Sequence, residues 1–276
     1  MLKKATASLL GLALVSLVVV SFVRPNRAGE RVIVAGSTTV LPIAEAAAVL
    51  FNRNASRAHV LVQGGGSSAG IEAAVTGTAN VGMSSRDLKS EEQNLGLTDI
   101  PIAIDAIAII VNPSNPVGKL TKEQVRKIYS GEITNWKEVG GRDMQIVLVN
   151  RDEASGTREA FTKMIMKDTP FFKGAVVQPG SGQVRSIVAM TPGAIGYMSL
   201  GYVTKDVKTI ALDGVKPTIK TIASKEYGLM RTLHFLVKGK PTGSTGEFID
   251  FMLGDQAQRD VVSKEFLSVR AVGGGS

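Results

Sequence analysis

The chain of 276 residues contains no cysteine and only two histidines, His59 and His234. Disulfide frameworks, thiolate metal sites, cysteine nucleophiles and a lipid-modified cysteine anchor are therefore excluded, and a histidine-built metal site is not expected. Aromatic residues make up 5% of the chain, too few for the stacking platforms of single-stranded nucleic-acid binders. We accordingly expect no metal and no other cofactor.

The formal net charge is +8, but it is unevenly distributed. Residues 1–28 contain four basic residues and no acidic one, which leaves a mild +4 for the rest of the chain. No run of Lys or Arg follows residue 28, so we do not expect a nucleic-acid partner. A small anionic partner suits this charge better.

The N-terminus has the pattern of an export signal. Lys3 and Lys4 precede an apolar stretch from Ala5 to Val23, which is just long enough to span a bilayer as a helix of ~20 residues. We predict a signal peptide over residues 1–28, with an uncleaved N-terminal anchor as the alternative. Both place the protein in the periplasm or at the outer face of the cytoplasmic membrane. At the other end, residues 271–276 predict a flexible tail.

Beyond Gly29, short β-branched segments alternate with helical ones. We predict strands over residues 31–35, 59–62, 80–83, 101–111 and 145–149, and helices over residues 42–51, 69–75, 121–129 and 157–166. This alternation is typical of an α/β fold with a mostly parallel sheet and helices on both faces. No linker or internal repeat is visible, so a second domain would be inserted rather than appended.

Three predicted strand-to-helix turns share one composition. They are residues 36–39 (Gly-Ser-Thr-Thr), 64–68 (Gly-Gly-Gly-Ser-Ser) and 151–157 (Arg-Asp-Glu-Ala-Ser-Gly-Thr), and a fourth turn at residues 84–87 adds an arginine. Each supplies hydroxyls and backbone N–H groups at a helix N-terminus, where an anion is favoured. One such turn alone is an ordinary helix cap. Because open α/β folds bind ligands at the carboxyl ends of their strands, the turns together predict a site for a small oxyanion.

Two enzyme-like motifs overlap the second of these turns. Residues 66–70 match the G-x-S-x-G elbow of serine hydrolases, with His234 downstream as that arrangement requires. Residues 64–69 followed by Asp87 match a dinucleotide-binding fingerprint. Both patterns are short and arise by chance in segments rich in Gly and Ser. A secreted serine hydrolase with Ser68 as nucleophile remains the alternative from a different functional class.

Six segments carry a resemblance to a known family. They are residues 35–42 (AGSTTVLP), 63–71 (QGGGSSAGI), 82–86 (GMSSR), 129–136 (YSGEITNW), 151–158 (RDEASGTR) and 192–197 (PGAIGY). In this order they resemble the phosphate-binding proteins of bacterial high-affinity phosphate ABC transporters, from Ile33 to about Phe266. The resemblance implies a two-lobed α/β periplasmic binding protein fold with two crossovers. Its mixed sheets would be flanked by helices, and the ligand would lie in the cleft between the lobes.

The resemblance also implies how the chain is divided and which residues bind the ligand. The first lobe would comprise residues 31–111 and 226–270, and the second lobe residues 112–225. Trp136 and Tyr197 would pack within the protein. The implied phosphate contacts are Thr38, Thr39, Ser67, Ser85, Arg86, Arg151, Ser155, Gly156 and Thr157, and no residue is implied to be catalytic.

One position departs from the pattern of the best-known branch of this family. That branch has an aspartate where this chain has Ser85, and the aspartate accepts the proton that phosphate carries at neutral pH. Asp87, Asp152 or Glu153 would have to replace it. Phosphate is the expected ligand, and sulfate, tungstate and molybdate are the alternatives because they lack this proton.

The function implied by the resemblance is that of an exported, non-enzymatic and monomeric protein. It would capture inorganic phosphate and deliver it to the permease subunits of an ABC transporter in the cytoplasmic membrane. A sensor or scaffold that binds the anion without feeding a transporter is a further alternative.

Overall fold

The structure, a computed structural model, describes residues 29–54 and 58–273. The predicted export segment at residues 1–28 and the last three residues of the predicted tail lie outside the described residues. None of the helices in the described part of the chain combines the length and the apolar character needed to cross a bilayer.

Short strands and helices alternate along most of the chain. The strands are β1 Glu30–Gly36, β2 Ala58–Gly64, β3 Val81–Ser84, β4 Leu97–Val111, β5 Lys119–Leu120, β6 Val147–Arg151, β7 Val176–Gln178, β8 Ala194–Ser199, β9 Lys208–Thr209, β10 Ala211–Leu212, β11 Met230–Lys238 and β12 Leu267–Ser268. The α-helices are α1 Leu41–Asn54, α2 Ser67–Thr76, α3 Lys122–Ser130, α4 Gly156–Phe161, α5 Ser181–Met190, α6 Ile219–Ala223, α7 Gly243–Leu253, α8 Asp255–Asp260 and α9 Val269–Gly273. Single 3₁₀ turns cover Trp136–Val139, Leu200–Tyr202 and Val262–Lys264, and a π-helical turn covers Thr162–Met166.

The main sheet has the strand order β2-β1-β3-β11-β4-β8-β6-β7, with β9 and β12 also paired to β4. At one end β2, β1 and β3 are parallel, and at the other end β8, β6 and β7 are parallel. In the middle, β11 is antiparallel to β3 and β4, and β4 is antiparallel to β8. The expected mixed sheet flanked by helices is confirmed, whereas the mostly parallel pattern holds only at the two ends.

Two long strands carry the chain between these ends. β4 pairs with β11 along residues 97–106 and with β8 along residues 107–111. β11 then returns the chain to the first end, where it pairs with β3. These are the two crossovers that the resemblance implies. Every residue of β4 from 105 to 111 is buried, because packed elements cover both faces of the sheet there.

Two large hydrophobic cores lie on either side of the crossovers. The first core includes Val34 of β1 and Phe248 of α7, and the second includes Trp136, Phe161 and Tyr197. The expected internal packing of Trp136 and Tyr197 is confirmed, since both are fully buried. Along β4, the side chains change from the first core to the second between residues 103 and 106. The predicted lobe boundaries at residues 111 and 226 stay a prediction, which the existence of two separate cores supports.

The structure differs from the predicted elements in local detail. The helix predicted over residues 157–166 is α-helical only to Phe161 and continues as a π turn, at whose end the N–H of Lys167 donates to the carbonyl of Thr162, five residues earlier. The strand predicted at residues 145–149 lies two residues further on, so that Arg151 ends β6. At the C-terminus, α9 extends into the predicted tail as far as Gly273.

Candidate anion-binding site

The second and third glycine- and serine-rich loops lie directly against each other. The N–H of Ser68 donates to the carbonyl of Ala154 at 3.2 Å. Gly66 has a φ of +93° and permits this contact, because a Cβ there would lie 2.7 Å from the Ala154 carbonyl oxygen. Gly156 is equally restricted, since a Cβ on it would overlap the hydroxyl of Ser67. The loop after β2 and the loop after β6 are therefore in contact.

Four buried hydroxyls converge where these loops meet the turns after β1 and β3. The hydroxyl of Ser67 accepts from the backbone N–H of Ser85 at 3.0 Å, and the two Oγ atoms are 3.3 Å apart. The Oγ1 atoms of Thr39 and Thr157 are 3.0 Å apart. All four residues are at most 1% exposed. Hydroxyls held this close together are able to donate to one small acceptor.

Arg151 is a buried cation that contacts Thr38, the residue before Thr39 of the hydroxyl cluster. Its Nε and Nη2 donate to the carbonyls of Gln178 and Pro179 at 3.2 and 2.9 Å. Nη2 also donates to the hydroxyl of Thr38 at 3.3 Å, and Nη1 to that of Ser181 at 3.4 Å. Burial lowers the pKa of Arg151, and no carboxylate among the described residues forms an ion pair with it. A buried guanidinium with only neutral partners favours an anionic ligand.

Two further predicted contact residues lie at the margin of the cluster. Ser155 is the N-cap of α4, and its hydroxyl accepts from the N–H of Arg158 at 3.2 Å. Because capping uses an oxygen lone pair, the hydroxyl proton of Ser155 remains available to donate. Thr38 is half-buried, and its carbonyl accepts from the hydroxyl of Tyr202.

Arg86 is placed differently from the other predicted contacts. Its guanidinium forms two hydrogen bonds with Glu92, at 2.6 and 2.8 Å, and its Nε lies 2.9 Å from a carboxylate oxygen of Glu159. Burial acts to lower the pKa of Arg86, but the two carboxylates outweigh it and raise the pKa. Its contact with the anion stays a prediction, and in this structure its charge is already balanced by two carboxylates.

Arg231 and Asp105 are not among the residues predicted from the sequence, and they form a buried ion pair next to the cluster. Nε and Nη2 of Arg231 donate to one oxygen of Asp105 at 3.0 and 2.8 Å. Burial lowers the pKa of Arg231 and raises that of Asp105. Asp105 stands within a long apolar strand segment, and a charge in such a strand requires a buried partner. A charged residue within an apolar strand therefore predicts a buried ion pair at Asp105, but it does not predict that the partner is Arg231.

A cleft of about 590 Å³ opens beside Arg231. Its lining includes Arg86 and Lys89 from the turn after β3, and Glu159 and Lys163 from the segment after β6. Both signs of charge are present, so the cleft is not a purely cationic surface.

The two enzyme motifs are not assembled in the structure. The ring Nδ1 of His234 lies 2.6 Å from Asp99, and its Nε2 lies 3.5 Å from Asp87. The hydroxyl of Ser68 instead accepts from Arg86 at 3.5 Å. Within the part of the chain that the structure describes, the Ser68 hydroxyl therefore has no contact with the base that a nucleophilic serine requires. Asp87 faces a histidine rather than a nucleotide-binding loop.

The three carboxylates considered as proton acceptors have different surroundings. Glu153 is exposed, and Asp87 lies beside His234. Asp152 follows Arg151 and has a buried oxygen without a hydrogen-bond partner among the described residues. The choice between them stays open.

Fold and site together define an α/β binding protein of the periplasmic type, with a buried hydroxyl-rich site where its loops meet. The sequence profile of the PBP superfamily domain matches residues 24–256. The chain is 36% identical over 245 residues to the phosphate-binding protein PstS of Bacillus subtilis, covering 87% of this chain and 81% of that one. It is 31% identical to PstS of Borreliella burgdorferi, covering 89% of this chain and 92% of that one.

A solved structure agrees with these relatives. The phosphate-bound substrate-binding protein of a putative phosphate ABC transporter from Clostridium perfringens has a TM-score of 0.84 and 40% sequence identity to this chain. The match covers 87% of this chain and all of that one. The chain belongs to the PBP superfamily and, within it, to the family of phosphate-binding proteins of ABC transporters.

Proposed function

We propose that this chain is an exported, non-enzymatic substrate-binding protein that captures inorganic phosphate for import by an ABC transporter. The observation that carries the proposal is Arg151, a buried cation without a carboxylate partner among the described residues, which donates to the hydroxyls of Thr38 and Ser181. A dianion would complete this arrangement, because it supplies the missing charge and accepts the converging donors. The names of the relatives at 31% and 36% identity support phosphate as that anion.

The proposed ligand contacts are those predicted from the sequence. They are Thr38, Thr39, Ser67, Ser85, Arg86, Arg151, Ser155, Gly156 and Thr157. About ten hydrogen bonds to a charged ligand, at roughly 1.5–3 kcal/mol each, exceed the ~8 kcal/mol of a micromolar affinity. Most of that gain must therefore offset desolvation of the anion and closure of the protein around it.

Closure is proposed because the contacts come from two parts of the chain. Thr39 and Ser67 lie in the predicted first lobe, and Arg151 and Thr157 in the predicted second lobe. An anion held by both lobes stabilises the closed form by its higher affinity for that form. The described contacts between Thr39 and Thr157, and between Arg151 and Thr38, are of the kind that such a closed form requires.

Delivery to a permease completes the proposed role. We propose that the protein acts as a monomer outside the cytoplasm and docks on permease subunits of the cytoplasmic membrane. Mass analysis of the exported protein is expected to show loss of a segment that ends between Val23 and Ala28. Recovery of only the intact chain in the membrane fraction would establish an N-terminal anchor instead.

The test of the ligand is a calorimetric titration after endogenous ligand has been removed by unfolding and refolding. Phosphate is expected to bind with a stoichiometry of one, and more tightly than sulfate, tungstate or molybdate. The departure at Ser85 makes this comparison necessary, since the described residues place no carboxylate at that position. Tighter binding of sulfate or tungstate would contradict phosphate as the ligand, and no binding of any of these anions would contradict the site.

A further inference from the structure

Arg231 connects the hydroxyls that the proposed site draws from different loops. It lies on β11, the strand that returns the chain through the middle of the sheet. Its Nη1 donates to the Thr157 hydroxyl at 2.8 Å and to the Ser85 carbonyl at 3.2 Å. Its Nη2 donates to the Thr39 hydroxyl at 3.2 Å. One side chain therefore contacts groups that follow β1, β3 and β6.

These contacts determine where the hydroxyl protons point. A guanidinium has donors and no acceptor, so both threonine hydroxyls must accept from Arg231. Each hydroxyl then has its single proton left to donate. The two oxygens are 3.0 Å apart, so one proton is used in the bond between them and the other has no acceptor among the described residues. An anion oxygen beside both hydroxyls would accept both protons.

We infer that Arg231 is a positioning residue that holds the hydroxyls of Thr39 and Thr157 as donors toward the bound anion. This inference rests on the proposed function and adds to it a specificity for unprotonated anion oxygens. Asp105 holds the guanidinium in place through two hydrogen bonds and is itself held by the hydroxyl of Ser199 at 2.7 Å.

The charge of Arg231 is balanced by a neighbouring carboxylate, so its inferred role is to orient hydroxyl donors and not to attract the anion by its own charge. Asp105 on β4 balances the charge of Arg231, and Glu159 on α4 together with Glu92 balances that of Arg86. Arg151 on β6 has no such partner among the described residues and supplies the net positive charge. Arg231 therefore contributes orientation of donors and little net charge.

The inferred role has a consequence for pH dependence. Phosphate is a dianion with one proton at mildly alkaline pH and takes up a second proton as the pH falls. Two hydroxyls held as donors cannot accept from a P–OH group, so they can face only the two unprotonated oxygens of the monoanion, instead of the three of the dianion, and the bound monoanion also carries less charge. The affinity of the parent protein for phosphate should therefore fall between about pH 8 and about pH 5.5. Hydroxyls released from Arg231 would rotate and accept, which makes this fall smaller.

The test compares the parent protein with two variants that remove both charges of the pair. Arg231→Met combined with Asp105→Leu replaces a buried ion pair by apolar side chains of similar volume, a change that is often tolerated. Arg231→Gln combined with Asp105→Asn keeps a polar pair, but the shorter amide does not reach the hydroxyls. Ser199→Ala is the matched control, because it removes a bond to Asp105 and leaves both threonine contacts. Circular dichroism establishes that each variant is folded.

The decisive measurement is the ratio of the phosphate dissociation constants at about pH 5.5 and about pH 8, by calorimetry. At the higher pH, we expect both double variants to bind phosphate at least about tenfold more weakly than the parent. Their ratio of dissociation constants, about pH 5.5 over about pH 8, should be at least about threefold smaller than that of the parent. Ser199→Ala should keep the parent ratio. A ratio within about threefold of the parent in the folded double variants would overturn the inference, whatever their affinity. A parent protein that binds no phosphate would instead overturn the proposed function.

Discussion

Replacement of Arg151 by methionine is the most direct test of the anion site. Arg151 is 1% exposed, and its Nη2 lies 3.3 Å from the hydroxyl of Thr38, on the other side of the proposed site. Removal of one partner from a buried, hydrogen-bonded charge pair costs about 2–5 kcal/mol. The affinity for phosphate should therefore fall by roughly 30-fold to several-thousand-fold.

Thermal unfolding gives a second readout of the same loss. Phosphate at about 100 times the parent dissociation constant should stabilise the parent by about 2.7 kcal/mol. For a chain of this size, that corresponds to a rise in Tm of about 5–11 °C. At the same phosphate concentration Arg151→Met should gain less than about 1 kcal/mol, and small-angle scattering should show that it stays in its open form.

Arg158→Met is the matched control for this experiment. Arg158 donates to the backbone carbonyl of Arg151 at 3.1 Å, and its guanidinium lies 5.1 Å from the ring centre of Phe171. Its side chain has no contact with the hydroxyl cluster, so phosphate binding should stay within about threefold of the parent. Binding by Arg151→Met within the same threefold would refute the site assignment, because the anion would then lie elsewhere.

Three further predictions address closure and chemistry. Gly156→Ala should abolish phosphate binding while the protein stays folded, because a Cβ there would lie 2.8 Å from the Cβ of Ser67 and block the approach of the two loops. Gly182→Ala, with open space around it, is the control. Equal phosphate binding by both variants would contradict the close packing of these loops. Glu159→Gln removes the partly exposed ion pair with Arg86 and should weaken phosphate binding by no more than about fivefold. Glu123→Gln, which removes an exposed ion pair on α3, is the control. A loss of phosphate affinity much larger than in the control would show that the Arg86–Glu159 pair contributes more than its exposure suggests. A fluorophosphonate probe should not label Ser68, since its hydroxyl contacts Arg86 and the ring of His234 lies beside Asp99 and Asp87 instead, and stoichiometric labelling would revive the hydrolase hypothesis.

Most of the elements around the site could be predicted from the sequence, because their signals are local. Residue type alone predicts the strand-to-helix loops after β1 (Gly-Ser-Thr-Thr) and after β2 (Gly-Gly-Gly-Ser-Ser). Ser155 is a typical N-cap, and the structure has it in that position. Apolar periodicity over residues 157–166 predicts one helix, because it does not distinguish a continuous α-helix from the change to a π turn after Phe161.

The sequence by itself determined the donor chemistry of the candidate site, since hydroxyls and glycines at strand ends are visible as residue types. Only the tertiary structure decided which cations remain without a carboxylate. Arg86 is balanced by Glu159, 73 positions away, and Arg231 by Asp105, 126 positions away, whereas Arg151 has no such partner among the described residues. The physical reason is that ion pairing depends on distance and burial, which folding sets: the antiparallel pairing of β4 with β11, for example, places Asp105 directly opposite Arg231.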